Sequence, residues 1–294
     1  MMLFGKEVNL RQEYCALNGA KPAPVLTPYV NLYVRIEDAC QATCKFCAYK
    51  NINSKFDFYK FYYIVEKLNK QLSIRKISFT GGEPTMSAML RHSVKAVKEI
   101  NKDIFTVVNT NGFKMEEHFD LPVDSWALSR HHFIDSNNQF ILDTDQVPVR
   151  EELEKYKPSI KKKIHLSCNL IKGSIDSHAQ VMHYLEHAAR MGIFDVGFVS
   201  LMPATEFAKD NFVPFKPILE SLRKLDRVCV NQNWTMGDKC ECANFLYLPM
   251  NSKKGVVRCY SRHSIKPDCS KSDGAQFFYD GSFLRNGFGG DIII

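Results

Sequence analysis

Cys40, Cys44 and Cys47 bring three thiols within eight residues of one another. Three thiolates on one short loop can wrap one face of a four-iron cubane and leave its fourth iron without a protein ligand. Zinc is the alternative, but a structural zinc site takes four protein ligands, and His92, His131 or His132 would have to complete the set. A second group, Cys240, Cys242, Cys259 and Cys269, lies near the other end of the chain. If residues 240–242 are extended, Cys240 and Cys242 point to the same side. A turn over 252–255 then returns Cys259 toward them. This arrangement suits a second four-iron cluster, with Cys269 as a candidate fourth ligand; a zinc knuckle and scattered buried cysteines are the other readings. Cys229 sits in an apolar run and reads as a core residue.

Ten cysteines are many for a chain of 294 residues. The first residues carry charges and no long apolar stretch, so they do not read as a secretory signal. No window is apolar for long enough to span a bilayer, and the expected location is the cytoplasm. Disulfides are disfavoured there, which leaves ligation as the reading for tightly grouped thiols. The net charge of +7 is compatible with an anionic substrate. The basic residues are spread out, the run Lys161-Lys162-Lys163 reads as a solvated loop, and no nucleic-acid partner is expected.

The elements that must hold these groups alternate in type. Apolar runs at 29–36, 74–79, 104–109, 126–129, 164–171 and 195–202 read as strands. Between them, 61–72 reads as a helix with Ile64, Val65, Leu68 and Leu72 on one stripe, and 89–100, 178–191 and 212–225 also read as helices, the third stopped by Gly192. Residues 133–160 read as a loop, and His178, His183 and His187 as helix-surface residues. Repeated strand-helix units imply an α/β fold with a parallel sheet. Pattern alone does not separate a doubly wound sheet from a barrel, but in both the chemistry gathers at the C-terminal ends of the strands. Cys40, Gly81-Gly82-Glu83-Pro84, Asn109 to Gly112, Ser129 to His132 and Asn169 all lie there. Gly81 and Gly82 allow close backbone approach to a ligand, Glu83 can orient or pair with an ammonium, and Pro84 fixes the chain; a plain turn is the competing reading. The division expected is a lead-in at 1–28, the repeated units at 29–225, and a small cysteine-rich module at 226–294.

Cys-x3-Cys-x2-Cys with Phe46 before the last cysteine resembles the radical S-adenosylmethionine superfamily. Gly81-Gly82-Glu83-Pro84 after the second strand resembles that family's glycine-rich motif. The resemblance covers about 29–225 and implies a partial (β/α)6 TIM-like barrel. It also implies a [4Fe-4S] cluster on Cys40, Cys44 and Cys47 whose open iron chelates S-adenosylmethionine. Reductive cleavage then gives a 5′-deoxyadenosyl radical that abstracts hydrogen from a substrate, with an electron from a partner such as flavodoxin or ferredoxin. Phe46 and Tyr49 are candidates for the adenine site, and packing of Phe46 on the cysteine loop is the alternative. Ser129, Asn111 and Asn169 fall where the family places polar contacts to the cofactor. Arg130, His131 and His132 beside Ser129 are candidates for substrate contact.

The C-terminal module resembles the shortened auxiliary-cluster domain of some radical enzymes, and the nearest group is the cyclic pyranopterin synthase-like one, which acts on GTP. Gly255-Val256-Val257-Arg258-Cys259 is similar to that group's hairpin, and Gly287, Gly289 and Gly290 to its C-terminal glycines. The earlier cysteine pair departs from it, being Cys-x-Cys rather than Cys-x2-Cys. So do Tyr33 and Ser167, which stand where the group carries an arginine and a lysine, and this argues against GTP. Tyr33 and Arg258 remain candidate substrate residues. The leading expectation is hydrogen abstraction from a small metabolite or nucleotide-like molecule in a biosynthetic modification. Modification of a ribosomally made peptide is one alternative, and a non-enzymatic iron-sulfur electron-transfer or scaffold protein is another.

Overall fold

The computed structural model describes residues 2–8, 29–48, 55–230, 243–250, 255–262, 275–286 and 291–294. Two short strands, β1 (Met2–Leu3) and β2 (Lys6–Glu7), pair as a hairpin. Six strands follow: β3 (Tyr29–Glu37), β4 (Ser73–Gly81), β5 (Phe105–Thr110), β6 (Ser125–Ser129), β7 (Ile164–Leu170) and β8 (Asp195–Ser200). They lie side by side in sequence order, all parallel. A doubly wound sheet would reverse its strand order midway. Sequential order keeps one direction throughout β3 to β8, so the strand order is not that of a doubly wound sheet.

The helices are α1 (Phe58–Gln71), α2 (Leu90–Ile100), α3 (Asp135–Leu142), α4 (Arg150–Lys155), α5 (Pro158–Lys161), α6 (His178–Met191), α7 (Glu206–Asp210) and α8 (Phe215–Leu222). Three of them, α1, α6 and α8, pack on one and the same face. Phe61 of α1 meets Phe79 of β4, while Tyr184 of α6 and Phe215 of α8 meet Phe198 of β8. The strand register puts Phe79 and Phe198 on the same side of the sheet. Alternation along each strand completes the picture. Val30, Leu32, Val34 and Ile36 of β3 are buried toward the helices, and Tyr33 and Glu37, half-buried, point to the other face. That second face is polar, carrying Ser78, Asn109, Ser129, Ser167 and Asn169. The large apolar side chains lie on the helix-facing side, while Arg35, Ser78 and His165 are buried on the other.

Caps bound the helices as expected. Asp57 accepts the Lys60 N–H at the start of α1, Ser177 accepts that of Gln180 at the start of α6, and Gly192 ends α6 in the left-handed region at φ 78°. The expectation of a loop over 133–160 is corrected, since α3, α4 and α5 occupy it. Each is too short to show a 3.6-residue period. Their markers are local: Pro158 in the first turn of α5, and Glu152 reaching back to the Val149 N–H at 2.9 Å.

The C-terminal strands join the same sheet. These are β9 (Val228–Val230), β10 (Ala243–Tyr247), β11 (Val257–Arg262), β12 (Ala275–Tyr279) and β13 (Leu284–Asn286). β10 and β11 form the expected hairpin, and β11 runs parallel to β8, so that β9, β10 and β11 extend one side. β12 runs parallel to β3 and carries β13 at the opposite edge, giving an eleven-stranded mixed sheet. Among the described residues no helix is long and apolar enough to cross a membrane.

Phe198 and Val199 test the assignment of faces, being neighbours on opposite sides of β8. Phe198→Ala should cost about 3–5 kcal/mol in urea unfolding, the range for a buried aromatic. Val199→Ala, on the half-buried polar face, should cost about 1 kcal/mol or less. Equal losses would overturn the division of the sheet into an apolar and a polar face.

Candidate active site at the C-terminal ends of the strands

The cysteine loop leaves β3 and is tied down at once. Glu37 Oε1 accepts the N–H groups of Asp38 (2.9 Å) and Ala39 (3.1 Å), and buried Arg35 pairs with Asp38 at 2.7 Å. The Gly-Gly-Glu-Pro turn then grips the loop through its backbone. The Gly82 N–H donates to Glu37 O at 2.7 Å, and the Glu83 N–H to Ala39 O at 2.8 Å. A Cβ on Gly82 would collide with the carbonyl oxygens of Ala39 and Asp38, and one on Gly81 with that of Glu37. The two glycines therefore admit the cysteine loop itself, an approach by protein backbone as close as the one expected for a ligand.

Glu83 is buried, and four donors hold its carboxyl. Oε1 accepts from Thr85 N (3.1 Å), Thr85 Oγ1 (2.8 Å) and Thr110 Oγ1 (2.6 Å), and Oε2 from Asn111 N (2.7 Å). Burial pushes its pKa up against the pull of these bonds. Pro84 opens a 3-10 turn at Pro84–Met86, and Ser87 Oγ donates to Ile36 O at 3.1 Å. The ends of β3, β4 and β5 thus form one hydrogen-bonded body. Asn111 extends it to the thiols, with Nδ2 3.7 Å from Cys40 Sγ and Oδ1 accepting Gln41 Nε2 at 2.9 Å.

Of the thiols, Cys40 is exposed and Cys44 and Cys47 are half-buried. Partial burial raises the Cys40 pKa, with Glu83 and Cys47 adding to the effect. The Cys47 N–H donates to Cys44 O at 3.1 Å, and Cys44 Sγ approaches Leu142 O at 3.4 Å. Among the described residues no three His, Cys, Asp or Glu side chains are gathered tightly enough for a single metal ion. A cubane makes a different demand, because its cysteines bind separate irons. Three thiols on one loop at the mouth of the sheet fit that demand. The histidines considered for zinc are engaged elsewhere: His92 is exposed on α2 and packs on Phe58.

His131 braces the other half of the mouth. Its ring is buried, and Nδ1 accepts the Asn169 N–H at the end of β7 at 3.0 Å, which fixes the proton on Nε2. Burial lowers its pKa to about 3, so the ring is neutral. Its face meets Phe46 edge-on at 5.0 Å, and Phe46 also packs on the small apolar cluster of Ile171, Leu201 and Ala208. Packing of Phe46 onto the loop's surroundings is thus what the structure displays. Buried Arg130 pairs with Asp135 at 2.5 Å and donates to Pro148 O (3.3 Å) and Phe133 O (3.2 Å). His132 Nδ1 accepts the Ile134 N–H at 2.9 Å, and its ring packs on Phe133.

Ser129 and Asn169 stand half-buried on the polar face at the mouth, near this group. Tyr33 lies lower on the same face, paired in register with Ser78, with Lys76 Nζ 5.7 Å above its ring. Arg258 is not brought to the mouth. It pairs with Asp195 at 3.1 Å at the N-terminal end of β8, and it is exposed. Cys259, its neighbour, is buried among the core residues at that same end, and burial pushes its thiol well up. Tyr49, Cys240, Cys242, Cys269, Gly287, Gly289 and Gly290 lie outside the described residues. Sequence reasoning missed Gln41 and Thr85, whose one signal was adjacency to Cys40 and Pro84, and it reached Thr110 only as part of the run Asn109 to Gly112. Asn138, which accepts the His131 N–H at 2.7 Å, carried no signal.

Gly82→Ala should displace Ala39 and with it Cys40. Resistance of reconstituted iron to a chelator should fall about tenfold or more, the usual effect of disturbing an outer shell. Wild-type retention would show that the contact does not position the loop. His131 gives a pH test. Its folded pKa lies below the value of 6.5 for a free imidazole, so its contribution to stability is complete above pH 6.5 and is lost as pH falls toward 3. The stability gap between wild type and His131→Gln should therefore narrow below pH 6.5, by up to about 1.4 kcal/mol per unit. A gap independent of pH would exclude a buried neutral imidazole.

Residues 34–203 match the Radical SAM superfamily. The chain is 27% identical over 218 residues to a probable GTP 3′,8-cyclase of Thermococcus kodakarensis, covering 67% of each protein. It is 27% identical over 187 residues to the GTP 3′,8-cyclase of Aliarcobacter butzleri, covering 58% of this chain and 55% of that one. Its fold resembles Streptococcus suis SuiB bound to S-adenosylmethionine, with TM-score 0.52, 18% identity, and coverage of 62% of this chain and 43% of SuiB. SuiB bound to its precursor peptide SuiA gives TM-score 0.50, 18% identity, and coverage of 68% and 45%. The chain therefore spans between two thirds and about half of these curated relatives, and less than half of SuiB. With the family matched over more than half its length, and the cysteine loop seated on the Gly-Gly-Glu-Pro turn, this chain belongs to the radical SAM superfamily.

Proposed function

We propose that this radical SAM enzyme abstracts hydrogen from a peptide held at the C-terminal ends of the strands, in preference to the small metabolite that the sequence favours. The observation that carries the reading is a set of exposed apolar residues on segments that follow the C-terminal ends of the strands. Phe140 on α3 is 81% exposed, and Met86, Ile134 and Met202 are exposed on the loops after β4, β6 and β8. Exposed apolar groups on the segments beside a polar mouth suit the side chains of a peptide. A nucleoside triphosphate calls for cations, and the GTP-acting group that the sequence resembles carries an arginine and a lysine where this chain has Tyr33 and Ser167; Lys76, 5.7 Å over the Tyr33 ring, is a cation that this chain does keep on that face. A precursor peptide is also what the similar SuiB is seen to bind; at 18% identity that likeness concerns the fold.

Cys40, Cys44 and Cys47 would hold the four-iron cluster, and Ser129 and Asn169 face the space where S-adenosylmethionine would lie. When bound and reduced, the cluster would supply one electron to the sulfonium of S-adenosylmethionine, giving methionine and a 5′-deoxyadenosyl radical able to take a hydrogen atom from the substrate. The electron comes from an external reductant such as flavodoxin or ferredoxin. Glu83 and His131 keep the loop and the end of β7 in register, and Phe46 packs the loop against His131 and the apolar cluster of Ile171, Leu201 and Ala208. A second cluster on Cys240, Cys242, Cys259 and Cys269 belongs to the same reading. Cys259 lies at the N-terminal end of the sheet, away from the mouth, so such a cluster would serve structure or electron relay rather than bind substrate.

The test is to incubate the reconstituted, reduced protein with S-adenosylmethionine and either GTP or the peptides encoded beside its gene. Release of 5′-deoxyadenosine should rise with a peptide, and that peptide should change in mass. Turnover of GTP, with every peptide unchanged, would overturn the reading.

A further inference from the structure

Asn111 presents a hydrogen-bond donor to the sulfur of Cys40, and its geometry leaves it no alternative. Its Oδ1 accepts the backbone N–H of Phe113 at 3.0 Å and Nε2 of Gln41 at 2.9 Å. A backbone N–H cannot become an acceptor, so the amide cannot be turned over. Nδ2 must therefore face the other way, where it lies 3.7 Å from Cys40 Sγ and 3.3 Å from Gln41 Oε1. The residue itself is 8% exposed, and its own N–H is held by Glu83 Oε2 at 2.7 Å. As a thiol, Cys40 can donate weakly to Gln41 Oε1, at 3.8 Å. As a metal ligand its sulfur can only accept, and Asn111 is the donor aimed at it.

We infer that Asn111 is a positioning residue that sets the reduction potential of the cluster on Cys40, Cys44 and Cys47, an inference that rests on those cysteines holding that cluster. An N–H directed at a ligating sulfur draws charge from it and favours the more negative, reduced cluster, so the potential rises. The buried Glu83 carboxyl fixes the distance. Through Asn111, the Gly-Gly-Glu-Pro turn acts on the electronics of the cluster as well as on the path of the loop.

The experiment is an EPR-monitored redox titration of the reconstituted full chain without S-adenosylmethionine. The signal is assigned by its absence from the Cys40→Ala/Cys44→Ala/Cys47→Ala variant. Asn111→Leu removes the donor and should leave about tenfold less cluster reduced at a fixed poise, ~59 mV for a one-electron couple. Asn111→Asp keeps the acceptor for Phe113 but turns an anionic oxygen toward the sulfur, and its potential should fall further. Wild-type potentials in both loaded variants would overturn the inference. Should the variants lose iron, wild-type protein labelled with 15N at asparagine side chains decides the matter. Pulsed EPR of the reduced cluster should detect weak coupling to that nitrogen, and its absence would overturn the inference. Wild-type chain that takes up no iron on these cysteines would overturn the cluster assignment as well, and iron content tells the two failures apart.

Discussion

The buried carboxyl of Glu83 is the fixed point of the mouth. Taking a carboxylate out of water is costly, and the raised pKa records that cost. Four donors from Thr85, Thr110 and Asn111 offset it, and in doing so they bind the turn after β4 to the end of β5. The backbone of the same turn is bonded to Glu37 and Ala39, so the cysteine loop is held to both. Three consecutive strands thereby share one network. A change in any of them is felt at Cys40, because Asn111 and Gln41 link the network to that residue.

His131 performs the corresponding task on the other half of the mouth without a charge. Its Nδ1 is committed to the Asn169 N–H and its ring to Phe46, so it joins the end of β7 to the cysteine loop. A neutral imidazole with its lone pair occupied is a strut, with no basic site left to take up a proton. Arg130 beneath it supplies rigidity of another kind. Its guanidinium bonds Asp135 and two carbonyls, and Tyr184 donates to its own carbonyl at 2.7 Å. The run Ser129 to His132 thus divides its work, with three residues building the wall and Ser129 facing the open side.

The parts legible in the sequence were those with a period or a spacing. The six strands, α1, α2 and α6 repeat long enough to be recognised, and the cysteine and glycine motifs sit where such units end. The order of the strands in the sheet was not legible, since it depends on contacts between distant segments. Nor were α3, α4 and α5, which have too few turns to display a face. The glycines were read as sites where a ligand comes close, whereas the atoms found against them are the carbonyl oxygens of Glu37, Asp38 and Ala39, and no local pattern announces a partner more than forty positions away. Asn138 and Tyr184 show the same limit. A side chain that bonds backbone across the fold looks like any other polar residue in its own segment.

One constraint separates how the reaction is started from what it acts on. The groups that fix Cys40 belong to the ends of β3, β4 and β5 and are buried or bonded to one another. Phe140, Ile134 and Met202 belong to the connections after β6 and β8, and Met86 projects outward from the turn that Glu83 anchors. None of these four exposed side chains contributes a hydrogen bond to the network. These positions can therefore change composition while the thiols stay in place, as loops carried on a rigid scaffold do. The polar face offers a similar freedom only at its half-buried positions, since Arg35 and Ser78 of that face are buried. Tyr33 and Ser167 are side chains of that face. Both are half-buried, and a change at either would alter the polar face without altering the loop that carries the thiols.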